Sequence, residues 1–305
     1  MTDAFGAVEA GGTNTVCVLG SDPDSILDRL EYPTTTPVAT IDTAVGFFLD
    51  AVRAGRRIAA LGLGWFGPLV LDESHPRFGT VGATPKTGWA GVDVRGPFAN
   101  ALGLPVALDT DVAAAALAEG KWGAAAGLSL HTYLTVGTGI GGGLVRHGAV
   151  LRGLGHPEIG HVPVDRIAGD DFAGLCPFHG DCLEGMAAGP AIAARWGKPA
   201  ESLDAGEAAD AVALVTAYVA QGLRAVTYTV APERIVVGGG VARLPGFMGT
   251  LRMRLAESMA DYPGWPEHLE DAFVSPAALG DMAGPLGGLI LARRAFSSPD
   301  APRSG

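Results

Sequence analysis

One local pattern occurs twice in this chain and constrains its fold more than any other feature of the sequence. In residues 5–20 and again in residues 131–146, a strand rich in β-branched residues leads into a turn of glycine and threonine and then into a second strand. Repetition of a whole supersecondary unit is typical of two related domains. Neighbouring glycines also let backbone N–H groups approach an anion. The sequence therefore predicts an α/β protein with two related lobes, each carrying one anion-binding turn.

The candidate phosphate-binding positions lie in these two turns and in a third one. They are Glu9, Gly11, Gly12 and Thr13 in the first turn, Gly137, Thr138 and Gly139 in the second, and Gly238, Gly239 and Gly240 in the third. Glu9, at the end of its strand, is placed to hold a hydrated Mg²⁺, although the first turn also fits an ordinary hairpin with a surface glutamate. The third turn allows the backbone to lie flat against an adenine and ribose, or else serves only tight helix–strand packing. The second turn also fits the G-x-G-x-x-G fingerprint of dinucleotide-binding folds, but a strand follows it where that fold requires a helix.

A cluster of soft metal ligands lies between residues 158 and 184. Its members are His161, Cys176, His179 and Cys182, with the carboxylates Glu158 and Glu184 at the two ends. Such a set of thiolates and imidazoles is what a tetrahedral structural Zn²⁺ site uses. The spacing from residue 176 to residue 182 fits one helix face, but an intervening proline and glycine favour an irregular knuckle. The alternative is two unrelated buried thiols and two surface imidazoles. With four ligands present, the two carboxylates are better placed to face a polar ligand beside the metal.

Three polar residues, Asp109, Thr110 and Asp111, follow a short strand at residues 105–108 and precede an alanine-rich helix. A carboxylate at such a junction commonly caps the helix. At the carboxyl end of a strand it is also a candidate general base. Asp109 can cap while Asp111 faces a substrate, or the reverse, and the local pattern by itself favours capping. In the loop at residues 84–89, Lys86 fits either a solvated charge or a ligand contact.

Composition and charge argue against several classes of protein. A chain of 305 residues can bury a large core, and two domains are the expectation at this length. The net charge of −11, without clusters of Lys and Arg, argues against a nucleic-acid partner. Three cysteines, two of them assigned to the metal, argue against a disulfide framework and fit the reduced cytoplasm. We expect neither a signal segment nor a membrane span, because no run of suitable length and apolarity is present.

Taken in order, these motifs resemble those of the ROK family of sugar kinases, within the hexokinase–actin superfamily, and above all its bacterial fructokinase branch. The matching stretches are residues 9–13, 65–68, 84–89, 109–112, 137–143, 158–161, 176–185 and 237–241. The resemblance implies a two-domain hexokinase/actin-like (ribonuclease H-like) α/β fold with a zinc-binding loop at residues 158–184. It places residues 1–113 and 285–305 in a small N-terminal lobe, and residues 114–284 in a large lobe. Three positions depart from many family members: Glu9 replaces Asp, Thr110 replaces Asn, and His179 replaces a cysteine.

The resemblance further implies an ATP-dependent hexose kinase that converts D-fructose into fructose 6-phosphate, with Asp111 as general base. The sugar contacts that it implies are Thr110, Asp111, Glu158, His161 and Glu184. The implied cofactors are structural Zn²⁺ on the cysteine–histidine cluster and Mg²⁺ accompanying ATP. A homodimer in the cytoplasm is expected, with no nucleic-acid or membrane partner. The alternatives are a glucokinase, a mannokinase or an N-acetylhexosamine kinase of the same family, or a sugar-sensing protein without catalysis. The expected absence of an N-terminal DNA-binding segment argues against a sensor.

Overall fold

The computed structural model describes residues 4–297, which form ten strands and eight α-helices. The strands are β1 (Ala4–Ala10), β2 (Asn14–Gly20), β3 (Ile26–Pro33), β4 (Ile58–Trp65), β5 (Val106–Thr110), β6 (Leu130–Val136), β7 (Ile140–Arg146), β8 (Ala149–Val150), β9 (Arg234–Gly238) and β10 (Val274–Pro276). The helices are α1 (Pro37–Arg53), α2 (Gly96–Leu102), α3 (Asp111–Trp122), α4 (Leu183–Ala187), α5 (Gly189–Trp196), α6 (Ala205–Val230), α7 (Phe247–Met259) and α8 (Ala283–Ser297). Among the helices of this described part, none is both long enough and apolar enough to cross a membrane.

These elements belong to two units. The first consists of the described parts of residues 1–122, 149–156 and 281–305, and the second consists of residues 123–148 and 157–280. Each unit has its own cluster of buried apolar side chains. The lobe bounds implied by the resemblance stay a prediction, and residues 298–305 of the predicted small lobe lie outside the described chain.

The first unit is built on a mixed sheet in the order β3-β2-β1-β4-β5. β1 pairs antiparallel with β2 and parallel with β4, which in turn pairs parallel with β5. Apolar side chains such as Val8, Leu63 and Trp65 fill the core of this unit, and α8 packs against β1, β4 and α3. Because parallel strands end at the same edge of a sheet, the turn after β1 and the start of α3 after β5 both lie at that edge.

The second unit repeats this arrangement. Four of its strands lie in the order β10-β9-β6-β7, with β6 antiparallel to β7 and parallel to β9, which is parallel to β10. This is the arrangement of β5-β4-β1-β2, and it confirms the repeat that the two sequence motifs predict. The long helix α6 begins with a capping box, in which Asp204 and Glu207 satisfy each other's backbone N–H groups. Its apolar face, including Tyr218, is buried in the core of the unit.

Candidate active site and metal centre

The four predicted metal ligands come together in the second unit. The ligand atoms of His161, Cys176, His179 and Cys182 all lie within 4.8 Å of one another. Cys176 Sγ is 3.6 Å from Nδ1 of both His161 and His179, and Cys182 Sγ is 3.5 Å from Nδ1 of His161. Both cysteines are buried, whereas His179 is exposed. The alternative of unrelated thiols and imidazoles is therefore not what the chain adopts.

The segment from Cys176 to Cys182 is a tight turn rather than a helix, as the proline and glycine predict. The backbones of Cys176 and Gly180 exchange two hydrogen bonds, of 3.0 and 2.8 Å. Gly180 has φ of +68°, a conformation that favours glycine. A Cβ added to Gly185 of α4 would overlap the Gly180 carbonyl oxygen and lie 2.9 Å from Cys176 N. Glycine at residue 185 therefore lets α4 contact the backbone of the turn directly.

The spacing of these atoms fits a zinc ion. For Zn–S bonds of about 2.3 Å and Zn–N bonds of about 2.0 Å, the S···N edge of a tetrahedron is about 3.5 Å. The three S···N distances in the cluster are 3.5 to 3.6 Å. Because Nδ1 of His161 faces the sulfurs, its Nε2 lies on the other side of the ring. The donor set can thus hold Zn²⁺ while His161 keeps one ring nitrogen for another partner.

The two carboxylates that flank the cluster have different surroundings. Glu184 lies in the first turn of α4, whose N-cap is Cys182, and its Oε2 accepts a hydrogen bond of 2.9 Å from Ile140 N. Ile140 follows the second glycine turn, so this bond joins residues 161–187, here called the metal segment, to that turn. Glu158 is exposed, and its carbonyl oxygen accepts a hydrogen bond of 3.0 Å from His161 N.

The second and third glycine turns leave the same edge of the second sheet. Thr135 is paired with Gly238 in the parallel ladder of β6 and β9, and each strand runs directly into its turn. Gly189 N, at the start of α5, donates a hydrogen bond of 2.7 Å to the carbonyl of Gly137. The structure therefore brings together residues 137–139 and 238–240, which the sequence assigned to nucleotide binding on separate grounds.

The first glycine turn is closed by backbone hydrogen bonds in the first unit. Gly11 N donates to the carbonyl of Asn14 at 2.9 Å, and Thr34 N donates to the carbonyl of Thr13 at 2.7 Å. The second of these bonds attaches the turn to the end of β3. One bond thus closes the turn on itself and the other holds it against β3.

Lys86 contacts the first glycine turn. The sequence leaves open whether the Lys86 side chain is a solvated charge or a ligand contact. Its Nζ donates to the carbonyl of Gly12 and lies 4.9 Å from the centre of the Phe66 ring. Burial lowers the pKa of Lys86. The contact joins residues 74 positions apart, so no local pattern could have revealed it. The structure places a positive charge directly on the candidate phosphate-binding turn.

Glu9 is a carboxylate held in an unfavourable environment at the end of β1. Burial first, and then the negative charges of Asp111, Asp281 and Glu31, raise its pKa from 4.5 to about 8. The start of α8 covers the group, since a Cβ added to Gly284 would lie 2.6 Å from Glu9 Oε1. The residue is therefore half-buried, with α8 against its carboxyl group and like charges nearby.

Asp111 begins α3 at the same edge of the sheet. Its Oδ1 accepts a hydrogen bond of 2.9 Å from Val112 N. Burial raises the pKa of Asp111 from 3.8 to about 6, although this hydrogen bond acts in the opposite direction. A pKa in this range suits a general base at neutral pH.

The capping of α3 belongs to Thr110, which is neither of the two residues that the sequence considered for this role. Thr110 Oγ1 accepts a hydrogen bond of 3.1 Å from Ala113 N. Asp109 is fully buried, with Oδ1 bonded to Thr110 N at 2.9 Å and Oδ2 paired with Arg152 at 3.1 Å. Since Thr110 caps α3, Asp111 is not needed as the cap and stays a candidate for the general base.

Known proteins are similar to this chain along nearly its whole length. The sequence model of the ROK family matches residues 5–295. A fructokinase of Zymomonas mobilis subsp. mobilis is 40% identical over 290 residues, which cover 94% of this chain and 96% of that protein. A fructokinase of Pediococcus pentosaceus is 36% identical over 294 residues, which cover 96% and 99% of the two chains.

A solved structure supports the same conclusion about the fold. The crystal structure of a ROK hexokinase from Thermus thermophilus matches 95% of this chain and 98% of that chain, with a TM-score of 0.75 and 30% sequence identity. This likeness confirms the predicted α/β fold class, and both sheets of the chain are mixed.

Proposed function

The chain belongs to the ROK family, and from this premise we propose that it is an ATP-dependent hexose kinase that converts D-fructose into fructose 6-phosphate. The observation that carries the proposal is the identity of 40% and 36% to two fructokinases over nearly the full length of each chain. Phosphorylation of a hexose is the broader part of the proposal, and fructose as the sugar is its narrower part.

In the proposed reaction Asp111 is the general base. Its Oδ1 accepts from Val112 N, and we assign Oδ2 to take the proton of the primary hydroxyl of the sugar. With a pKa of about 6, the group is mostly a carboxylate at neutral pH and is a stronger base than an ordinary aspartate. The hydroxyl oxygen then bonds to the terminal phosphorus of ATP, and ADP leaves with the electrons of the broken P–O bond.

The glycine turns supply hydrogen-bond donors for the nucleotide. We assign residues 11–13 and 137–139 to the phosphate chain and residues 238–240 to the adenine and ribose. Lys86, held on the first turn by the carbonyl of Gly12, adds a positive charge beside it. Mg²⁺ that arrives with ATP and is held through water near Glu9 would offset charge on the terminal phosphates. Phosphoryl transfer depends mainly on positioning and charge neutralisation, and these residues are suited to both.

We assign Glu158, His161 and Glu184 to the hydroxyl groups of the sugar. Nε2 of His161 is available for this contact because Nδ1 faces the cysteine sulfurs. Bound zinc would act as a structural ion that fixes the imidazole ring. Thr110 remains in the proposal as a donor, since its oxygen accepts the capping hydrogen bond and its hydroxyl proton is left to donate.

A panel of sugars with Mg-ATP tests the proposal. ADP release is followed in a coupled assay with D-fructose, D-glucose, D-mannose, N-acetylglucosamine and N-acetylmannosamine. We expect kcat/KM to be highest for fructose and the product to be fructose 6-phosphate by mass spectrometry and NMR. A higher kcat/KM for another sugar of the panel would replace fructose by that sugar. Sugar binding by calorimetry without ADP release would favour the non-catalytic sensor and refute the kinase.

We also propose that the protein is a homodimer in the cytoplasm, as the resemblance implies. Light scattering coupled to size-exclusion chromatography is expected to give about twice the 31.0 kDa mass of one chain. A mass equal to one chain over the whole concentration range would contradict the dimer.

A further inference from the structure

One largely buried arginine in the second unit joins several polar groups that the proposed reaction does not use. Arg195, on α5, donates from Nη2 to Asp170 Oδ2 at 2.8 Å and from Nη1 to the carbonyl of Met186 at 2.6 Å. The side chains of Arg195 and Asp170 are each only 9% exposed. Tyr218 on α6 is fully buried and donates to the same Asp170 oxygen at 2.6 Å. Largely buried charge pairs persist where hydrogen bonds satisfy them. Both Nη atoms of Arg195 and both oxygens of Asp170 take part in hydrogen bonds, whereas Nε of Arg195 is buried without a partner among the described residues.

The two groups held by Arg195 lie in the two halves of the metal segment. Asp170 belongs to residues 162–175, which separate His161 from the first cysteine ligand. Met186 belongs to α4, the helix whose N-cap is Cys182. One guanidinium group therefore connects the stretch that follows the first ligand to the helix that follows the last ligand.

Residues 162–175 form neither an α-helix nor a named strand, so side-chain contacts add to the few backbone hydrogen bonds that hold them. The backbone bonds that attach the stretch to residues 183–185 lie at its two ends, from Leu183 N to the carbonyl of Val162 and from Leu175 N to the carbonyl of Gly185. Phe172 packs on the Arg195 guanidinium, with 4.1 Å from Cζ to the ring centroid. Tyr218 accepts a hydrogen bond of 3.2 Å from Ile167 N in addition to donating to Asp170. Without these anchors, zinc binding would have to order more of the stretch between its two ends, and this loss of conformational entropy would lower the affinity.

We infer that Arg195, Asp170 and Tyr218 form a positioning centre that holds both halves of the metal segment at ligand spacing and thereby sets the affinity for zinc. Residues that orient metal ligands typically change metal affinity by 10–100-fold when they are altered. A second consequence rests on the proposed function. Because His161 and Glu184 lie in this segment, the positioning centre also sets the KM for the sugar without touching the sugar.

Two variants test this inference, each with a matched control. Arg195→Lys keeps the positive charge but loses the planar fork that reaches two acceptors at once. Its control is Arg254→Lys, which alters an arginine of α7 whose side chain is 39% exposed in an ion pair on the same helix. Tyr218→Phe removes one hydroxyl group from α6. Its control is Tyr228→Phe, which removes the hydroxyl of an exposed tyrosine on the same helix.

Zinc affinity is measured on the full chain with the metal alone, by competition with a chromophoric chelator. We expect affinity to fall about 10–100-fold in Arg195→Lys and in the same direction, by less, in Tyr218→Phe, with both controls unchanged. Affinities within about twofold of the unaltered protein in both test variants would overturn the inference. If Arg195→Lys does not fold, Tyr218→Phe against Tyr228→Phe decides the question alone.

Kinetics separate a positioning role from general damage. When zinc is limiting, the KM of the two test variants for the sugar should rise. At saturating sugar and saturating zinc, their kcat should stay within about threefold of the unaltered protein. Saturating zinc should restore the KM by mass action, and a KM that zinc does not restore would contradict positioning. The affinity measurement needs neither sugar nor ATP. If the unaltered protein phosphorylates no hexose, the proposed function fails while the zinc result still decides the inference.

Discussion

Replacing Glu9 by glutamine is expected to stabilise the protein at alkaline pH. Burial and the neighbouring charges of Asp111 and Asp281 raise the pKa of Glu9 from 4.5 to about 8. A carboxyl group whose pKa is raised by folding contributes stability that is fully present below the unfolded pKa and is lost as pH rises through the folded pKa. The unaltered protein should therefore lose stability between pH 4.5 and about 8, and Glu9→Gln should not show this component.

The size of the effect follows from the two pKa values. Linkage with an unfolded pKa of 4.5 and a folded pKa of about 8 gives a loss of unfolding free energy of roughly 3 kcal/mol between pH 6 and pH 9. Asp111, with a pKa raised from 3.8 to about 6, acts in the same direction but mostly below pH 7. The window above pH 7 therefore isolates Glu9 from its neighbour.

Urea unfolding at pH 6, 7, 8 and 9 without magnesium measures the effect. The difference in unfolding free energy between Glu9→Gln and the unaltered protein should grow by roughly 3 kcal/mol across this range. Glu73→Gln, at an exposed glutamate of the first unit, is the control and should give a constant difference. A difference for Glu9→Gln that stays flat with pH would refute the argument that this carboxyl is buried among like charges.

Three further predictions concern catalysis and the metal centre. Asp111→Asn should lower kcat by on the order of 10²–10⁴, and kcat/KM of the unaltered protein should fall about tenfold per pH unit below the Asp111 pKa of about 6. A normal rate for this variant in the coupled assay would remove Asp111 from the base role. Stripping zinc with a chelator should raise the sugar KM or unfold the loop, with recovery on adding zinc but not magnesium, and full activity and stability without zinc would contradict this. Gly185→Ala should lower the zinc content measured by mass spectrometry, because its Cβ would overlap the Gly180 carbonyl, whereas Gly249→Ala, with open space around its Cβ, should keep the metal.

The metal cluster is the part of the candidate site that the sequence predicts best. Three of its four residues lie within seven positions, and few roles other than metal binding require two thiols and two imidazoles so close together. Local chemistry and local spacing were therefore sufficient to propose the ligands. The first and second glycine turns can be predicted for a similar reason, since a repeated local pattern indicates a repeated supersecondary unit.

Contacts between distant positions could not be predicted in this way. The sequence considered Asp109 and Asp111 as caps of α3 and left open which of them caps, whereas Thr110, also a good capping residue, takes the role. Asp109 instead pairs with Arg152. Arg152 lies in residues 149–156, where the chain re-enters the first unit after residues 123–148 of the second. Arg195 carries no local signal, because its partners lie in the irregular stretch at residues 162–175 and in α4. Such residues can be identified only when the fold is known.

The acidic character of the chain affects how it would bind a nucleoside triphosphate. The net charge is −11, and the charges of Asp111 and Asp281 already raise the pKa of Glu9, so a phosphate chain placed there would meet repulsion. Backbone N–H groups of the glycine turns carry only partial charges, and Lys86 adds a single positive charge. A divalent cation that accompanies the nucleotide would favour the ionised form of Glu9 and so lower its pKa from about 8. The burial that makes Glu9 destabilising at high pH would therefore also make its ionisation depend on the cation. This dependence is a physical reason for an enzyme of this proposed activity to have a destabilising carboxylate at the end of β1.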